Sequence, residues 1–309
     1  MSGQKKLDYF SEVITGGDIF LHAAEDILCL EKTRYQQLAL IKSPLLGKVL
    51  LLDNICQISE ADEFIYHELL VHLPCLYHAN PQKVLILGGG DGCALREALR
   101  WQSVKEVVLV DIDKQVIECA KSYLSDLNQN SLEHPKARII IQDAFKFIKE
   151  NQTLWDVIIC DLSDPIEKGP SLALFTVEFF SQLKQILSPE GIISVQSGPA
   201  APPDHYCFTR VAHTLKQVFP YFKACLCFCQ SYLTPLGFSL VSLKEFKAFS
   251  AKQIDTLISE QIKDELKFLD SETFFSSTIL PKYLKQALKE EKTVYSLKNQ
   301  PNWFSTNPT

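Results

Sequence analysis

The chain has 309 residues, 46% hydrophobic and 22% charged, the profile of a globular protein with room for one full domain and a smaller companion. Its 31 Lys and Arg stand against 37 Asp and Glu, a formal net charge of −6 without a basic tract. That balance excludes nucleic acid as the main partner, because phosphates need clustered cations, and it suits a small cationic ligand. No apolar run approaches the length of a membrane span, and the start "MSGQKKLDYF" lacks the apolar core of a signal peptide, so the expected location is the cytoplasm and no membrane partner is expected.

In chain order, "ILCLEKT", "YQQLALIKS" and "KVLLLDN" are short strand-like runs broken by Pro44, Gly47 and Asn54, which predict an antiparallel meander in an N-terminal β-stranded domain over residues 1–75. "ADEFIYHELLVHLPCLYH" then changes to a helical period, with Phe64, Leu69, Leu70 and Leu73 on one side. From Lys83 onwards strands and helices alternate. "KVLILGGG", "EVVLVDID", "ARIIIQDAF", "DVIICDLSD" and "GIISVQSG" read as buried strands, while "CALREALRW", "KQVIECAKSYL", "TVEFFSQLKQIL" and "HYCFTRVAHTLKQVF" read as helices. Continuous apolar strands alternating with helices predict an α/β, Rossmann-like doubly wound sheet of the class I methyltransferase kind over residues 76–245. "FKACLCFC" and "GFSLVSL" are its late strands, and residues 246–309 form a helical extension with one helix in "AKQIDTLISEQIKDELKFL".

The ten cysteines lie mostly in apolar runs, with no Cys-x-x-Cys pair and no Cys/His cluster at zinc spacing. They read as reduced thiols packed as small hydrophobes, and no metal is expected.

Ligands of such a sheet bind beyond the C-terminal strand ends. The first end is "LGGGDG", where Gly88, Gly90 and Gly92 give G-x-G-x-G; a dinucleotide fingerprint would need glycine where Cys93 stands. A purely structural turn is the competing explanation. The second end carries Asp111, about 20 residues on, where an acid can accept both ribose hydroxyls; Asp113 beside it suits a helix N-cap. The third carries Asp143, which can accept from an adenine amino group. Together these imply an adenosyl ligand. Asp91 sits inside the glycine loop, where a carboxylate favours an ammonium and repels a second carboxylate. The matching ligand is decarboxylated S-adenosylmethionine, with a methyltransferase using the intact compound as the alternative. The fourth end, "VIICDLSDP", brings Asp161 and Asp164 beside the sulfonium. They can bind an incoming polyamine, with Asp161 orienting one amine and taking its proton. An Asx turn before the proline is the bland explanation.

These segments, with "GKVLLLDNICQISEADEFIYHE", resemble the polyamine aminopropyltransferases, the spermidine synthase family. The resemblance covers roughly residues 8–245. It implies a β-stranded N-terminal domain on a Rossmann-like catalytic domain, decarboxylated S-adenosylmethionine as co-substrate without a metal or other cofactor, and methylthioadenosine as product. By position it further implies that Gln36 contacts the nucleoside and that Tyr66, His67 and Asp91 border the polyamine channel. Asp143 with Ala144 would hold the adenine, Pro170 would belong to the nucleoside pocket, and Asp164 would be a polyamine ligand. A homodimer or homotetramer is implied by the same analogy. "DLSDPIEKGP" is two residues longer than the usual spermidine synthase pattern, and "QSGPAAPP" and the tail look more like thermospermine synthases. The acceptor is thus spermidine if the longer loop opens the channel and putrescine if not. Tyr232 lies in a segment one residue shorter than that of spermidine synthases, so its part as an aromatic contact stays open.

Overall fold

The structure is a computed structural model that describes residues 7–14, 18–164 and 171–300. It opens with a hairpin, β1 (Asp8–Val13) and β2 (Ile19–Ala24), then a four-stranded antiparallel meander of β3 (Asp26–Lys32), β4 (Gln37–Ser43), β5 (Gly47–Leu52) and β6 (Ile55–Ser59) in sequential order. The central strands of the meander are apolar on both faces because both are covered. Leu38, Leu40, Leu50 and Ile58 join the main core, while Ala39, Ile41, Val49 and Leu51 pack with Ala24 of the hairpin.

Helix α1 (Glu63–His78) is buried almost throughout and lies against the sheet that follows; residue 75 falls within it. That sheet contains β7 (Lys83–Gly88), β8 (Glu106–Asp111), β9 (Ala137–Ile141), β10 (Trp155–Asp161), β11 (Leu187–Pro199), β12 (Tyr221–Phe228) and β13 (Pro235–Ser242), in the order β12-β13-β11-β10-β7-β8-β9. Strands β7 to β11 pair in parallel, and β13 runs antiparallel to both of its neighbours. The helices alternating with them are α2 (Cys93–Leu99), α3 (Lys114–Tyr123), α4 (Ala144–Glu150), α5 (Val177–Gln185) and α6 (Tyr206–Val218). The doubly wound sheet and the antiparallel N-terminal β unit are as the residue pattern predicts.

Topology explains where ligands can go. From β7 the chain builds outward through β8 to β9, then crosses back to lay β10 on the other side of β7. The strand order reverses there, so a crevice opens beyond the C-terminal ends of β7 and β10. Those ends are the glycine loop and the "DLSD" segment.

The tail differs from expectation. Helix α7 (Ala251–Gln261) stops early, residues 262–270 cross the surface of α1 and α2 as an irregular strap, and α8 (Ser271–Ser277) and α9 (Lys282–Glu290) follow. The physical reason is a carboxylate. Buried Glu68 accepts the backbone N–H groups of Lys267, Phe268 and Leu269 at 2.8, 2.9 and 2.8 Å, which a continued helix would have needed for its own carbonyls. All ten cysteines are free thiols. No helix among the described residues is long and apolar enough to cross a membrane.

Candidate active site

Each strand end delivers one group to a single cavity. Gly88 and the loop through Gly90 and Asp91 come from β7, Asp111 from β8, Asp143 and Ala144 from the β9–α4 junction, and Asp161 and Asp164 from β10. The N-terminal sheet and α1 close it with Gln36, Tyr66 and His67. Eleven of the twelve residues expected at the site thus line one cavity; the twelfth, Pro170, lies outside the described residues.

Two glycines make the geometry possible. Gly88 has φ +81°, and a Cβ there would lie 2.1 Å from the backbone oxygen of Asp161; the adjacent Gly89 N–H donates to that oxygen at 3.0 Å. Only glycine permits both the left-handed backbone and the contact. A Cβ on Gly90 would sit 2.8 Å from Oδ2 of Asp111, so the bare backbone leaves that carboxylate its place beside the loop. Burial raises Asp111 to about 6, although the N–H of Asp113 donates to its Oδ1 at 2.8 Å. Asp113 caps α3 by accepting from the Gln115 N–H at 3.1 Å, as expected. Its second oxygen does more, accepting from Thr33 Oγ1 at 2.6 Å and Gln36 Nε2 at 3.1 Å. It therefore ties the N-terminal sheet to the catalytic sheet and fixes Gln36 at the cavity wall. Asp143 caps α4 through the Lys146 N–H at 2.8 Å.

The opening formed by β10 holds the sharpest polarity. Asp161 accepts a hydrogen bond from the Tyr66 hydroxyl on Oδ1 at 2.7 Å, while its Oδ2 is buried without a hydrogen-bond partner among the described residues. Burial raises Asp161 to about 6, with the Asp91 charge adding and the His67 charge and Tyr66 bond opposing. Asp164 is raised to about 6 as well, by burial first, with Asp204 and Glu12 adding and the 2.8 Å bond from Gln196 Nε2 opposing. Oε1 of Gln196 is a second buried acceptor without a partner among the described residues. Among the described residues, the side-chain hydrogen bonds that the two carboxylates accept come across the cavity, from Tyr66 and Gln196.

His67 faces these acids from α1. Its Nδ1–H donates to Oε2 of Glu63 at 2.7 Å and to the Glu63 carbonyl at 2.9 Å. Its Nε2 looks into the cavity, 3.8 Å from Oδ1 of Asp91 and 3.9 Å from Oδ2 of Asp161. Burial works to lower its pKa, but the bond and charge of Glu63, aided by Asp91 and Asp161, prevail and raise it to about 9. Glu63 in turn is gripped by Arg96 Nη1 and Nη2 at 2.9 and 3.0 Å. The chain of contacts continues from Arg96 to Glu97 at 2.7 Å and from Glu97 to His72 at 2.8 Å. Tyr66 and Tyr232 give the cavity aromatic walls: Tyr66 stands edge-on to Tyr232 at 5.6 Å and to the core residue Phe238 at 5.2 Å, and Tyr232 donates to the Gln57 carbonyl at 2.5 Å. Tyr232, whose part the sequence left open, lines the cavity.

Three ligand atoms from His67, Asp91 and Asp161, and three from Glu63, His67 and Cys93, lie within 4.8 Å of one another. Of these groups, Glu63 is committed to Arg96 and burial pushes the Cys93 thiol far above the range where it would be a thiolate.

Sequence reasoning missed Glu12, Glu63, Arg96 and Gln196. Glu63 and His67 stand four apart on a helix, a spacing legible in "EFIYH". Glu12 and Gln196 carry no local signal, because only the fold brings β1 and β11 to the cavity of β10.

Comparison with known proteins agrees with this architecture. Residues 63–253 match the spermine/spermidine synthase domain, and residues 9–60 match the spermidine synthase tetramerisation domain. A polyamine aminopropyltransferase of Synechococcus sp. (strain JA-2-3B'a(2-13)) is 38% identical over 97% of this chain and 99% of its own length. Thermospermine synthase ACAULIS5 of Arabidopsis thaliana is 36% identical over 96% of this chain and 88% of its own length. Among solved structures, spermidine synthase in complex with the transition state analogue AdoDATO superposes with a TM-score of 0.85 at 29% identity, covering 94% of this chain and 99% of that one. Spermidine synthase from Thermotoga maritima gives 0.84 at 28% identity, covering 94% and 98%. With both of its parts matched in order and nearly its full length shared with these relatives, the chain belongs to the spermine/spermidine synthase family of aminopropyltransferases.

Proposed function

We propose that this protein transfers the aminopropyl group of decarboxylated S-adenosylmethionine to spermidine, forming a tetraamine of the thermospermine type and releasing methylthioadenosine. The observation that carries this reading is the pair of buried acceptors, Asp161 Oδ2 and Gln196 Oε1, that lack partners among the described residues in a cavity shared with Asp91, Asp164 and Glu12. Unpaired buried acceptors are costly, and the N–H groups of a polyamine would satisfy them. Gln36, Asp111, Asp143, Ala144 and Pro170 hold the nucleoside, with the bare backbone at Gly88 and Gly90 allowing its close approach. Asp91 takes the ammonium of the aminopropyl arm, Asp161 orients the attacking nitrogen and removes its proton, and Asp164 binds a further nitrogen, with Tyr66 and His67 bordering the channel. The reaction in this reading uses no metal. The protein works in the cytoplasm as a homodimer or homotetramer. The matched tetramerisation domain and the exposed Tyr9, Ile19 and Leu21 of the hairpin support the oligomer.

One feature supports spermidine over putrescine, the thermospermine synthase relative; Glu12 also lines the cavity but is engaged by His22 at 2.6 Å and by the Cys56 N–H at 3.1 Å. The spermidine synthase structures support putrescine. An assay with putrescine, spermidine and agmatine, with products separated by chromatography, decides. A tetraamine made from spermidine is the expected result. Turnover of putrescine alone would overturn the acceptor, and methyl transfer from intact S-adenosylmethionine would overturn the reading as a whole.

A further inference from the structure

His67 and Glu63 form a buried pair whose chemistry the transfer itself does not demand. Two acceptors, Oε2 and the carbonyl oxygen of Glu63, converge on Nδ1 at 2.7 and 2.9 Å, so the proton on that nitrogen is fixed. The variable position is Nε2, which faces Asp91 at 3.8 Å and Asp161 at 3.9 Å, both longer than a hydrogen bond. Glu63 cannot swing away, because Arg96 holds it through two nitrogens. An acid that fixes one imidazole nitrogen and leaves the other towards a reacting group is the geometry of a histidine built to take and return a proton.

The reaction must dispose of a proton. The amine lone pair bonds to the propyl carbon next to sulfur. The carbon–sulfur bond breaks, and its electron pair stays on sulfur as a neutral thioether. One proton per turnover leaves the nitrogen of an acceptor that arrives as an ammonium. We propose that this proton passes through Oδ2 of Asp161 and comes to rest on Nε2 of His67, making the Glu63–His67 pair the proton store of the transfer. This rests on the aminopropyl-transfer reading above. An approach of about 1 Å brings Asp161 and His67 to hydrogen-bond length.

The charges around His67 set the cycle. Glu63 on its own helix, Asp91 on the glycine loop and Asp161 on β10 favour the imidazolium; Arg96 on α2 lies behind Glu63, and the Cys93 thiol on the same helix stays neutral. With those carboxylates unopposed, His67 holds its proton up to about 9, whereas Asp161 alone holds one only to about 6. A donor ammonium against Asp91 opposes them, so His67 releases its proton to water as the donor binds. It is then free to accept the amine's proton during attack.

Two measurements on the full-length protein test this. Calorimetry in buffers of different ionisation enthalpy, near pH 8, should show decarboxylated S-adenosylmethionine releasing a large fraction of one proton. Methylthioadenosine, which lacks the arm, should release none. In His67→Gln the release should vanish, the rise of kcat/KM towards pH 9 should flatten, and kcat should fall ~10–100-fold. A merely structural role for His67 would lower kcat and leave both the pH profile and the proton release as they were; that result overturns the proposal. Failure to transfer an aminopropyl group to any of the three acceptors would instead mark the failure of the underlying functional reading.

Discussion

Replacing Asp161 with asparagine should make this protein more stable and nearly inactive at once. An ordinary aspartate titrates at 3.8; burial holds this one at about 6. That difference corresponds to roughly 3 kcal/mol of destabilisation when the side chain is ionised in the fold. The sign follows from linkage. A carboxyl whose folded pKa is raised contributes stability that is fully present below 3.8 and is lost as pH rises through about 6. The amide keeps its oxygen as acceptor for the Tyr66 hydroxyl and removes the charge, but it buries an unpaired N–H group at a cost of about 1–2 kcal/mol. A net gain of about 1–2 kcal/mol at neutral pH should remain, a rise of a few degrees in Tm. Turnover should drop by about 10²–10⁴-fold, the usual contribution of a positioned proton acceptor, while methylthioadenosine affinity stays within about twofold because the nucleoside groups are untouched. Differential scanning calorimetry from pH 4 to 8 should show the variant's advantage shrinking as pH falls. A variant less stable than the parent at pH 7.5, or an advantage that does not depend on pH, would refute the electrostatic account. Near-parental turnover would remove Asp161 from proton transfer.

Three further perturbations have defined outcomes. Asp91→Asn should narrow the preference for decarboxylated over intact S-adenosylmethionine by about 2 kcal/mol, some thirtyfold in the ratio of dissociation constants, because the charge that attracts ammonium and repels carboxylate is lost; an unchanged ratio would show that the loop acid does not choose the donor. Gly88→Ala puts a methyl group where Asp161 presents its backbone oxygen 2.1 Å away, on a left-handed residue. It should cost about 3 kcal/mol or more and show as a lowered unfolding midpoint in urea. Glu68→Ala leaves the amides of Lys267, Phe268 and Leu269 without their acceptor. A loss of about 3 kcal/mol or more, with earlier proteolytic cutting in residues 262–270, is expected, and a strap as resistant as the parent's would count against the role given to Glu68.

The catalytic sheet was legible because its inner strands are buried on both faces. "KVLILG" and "EVVLVD" carry uninterrupted apolar runs that end in glycine or aspartate, and the fold turns those ends into ligand positions. Asp111, Asp143 and Asp161 could be placed from a rule of topology alone. The hairpin β1–β2 was not legible, since Tyr9, Ile19 and Leu21 are exposed and its pattern is not that of a packed strand. Helix α4 was hidden by "ARIIIQDAF", in which an apolar strand passes directly into the cap residue Asp143 and then into the helix. The tail was misread for a different reason. "AKQIDTLISEQIKDELKFL" has helical composition throughout, but Asp264 adopts a left-handed φ of +64° and Glu68, nearly 200 residues earlier, captures the amides beyond it. Tertiary hydrogen bonds overrode local propensity there. Glu12 and Gln196 were out of reach for the same reason, as their meaning lies in which strands the fold sets side by side.

The cavity carries an electrostatic load that its own side chains relieve only in part. Asp111, Asp161 and Asp164 are all held at about 6, each by burial before any other cause. Two of the acceptor groups involved, Asp161 Oδ2 and Gln196 Oε1, have no hydrogen-bond partner among the described residues. Elsewhere the protein handles buried charge differently. Glu97 is matched by His72, Arg96 and Arg100, at 2.8, 2.7 and 2.9 Å, and its pKa is pushed far down. Both situations occur a short distance apart on either side of Glu63. A fold able to pair Glu97 so thoroughly could have paired Asp161 in the same way, and an arginine beside it would have stabilised the domain. In the proposed reaction it would also have occupied the position of the attacking amine. On the reaction proposed above, the contrast between the two clusters separates structure from function in one protein: carboxylates that brace the fold are neutralised from within, and those assigned to the chemistry are left for the polyamine and the aminopropyl ammonium to neutralise.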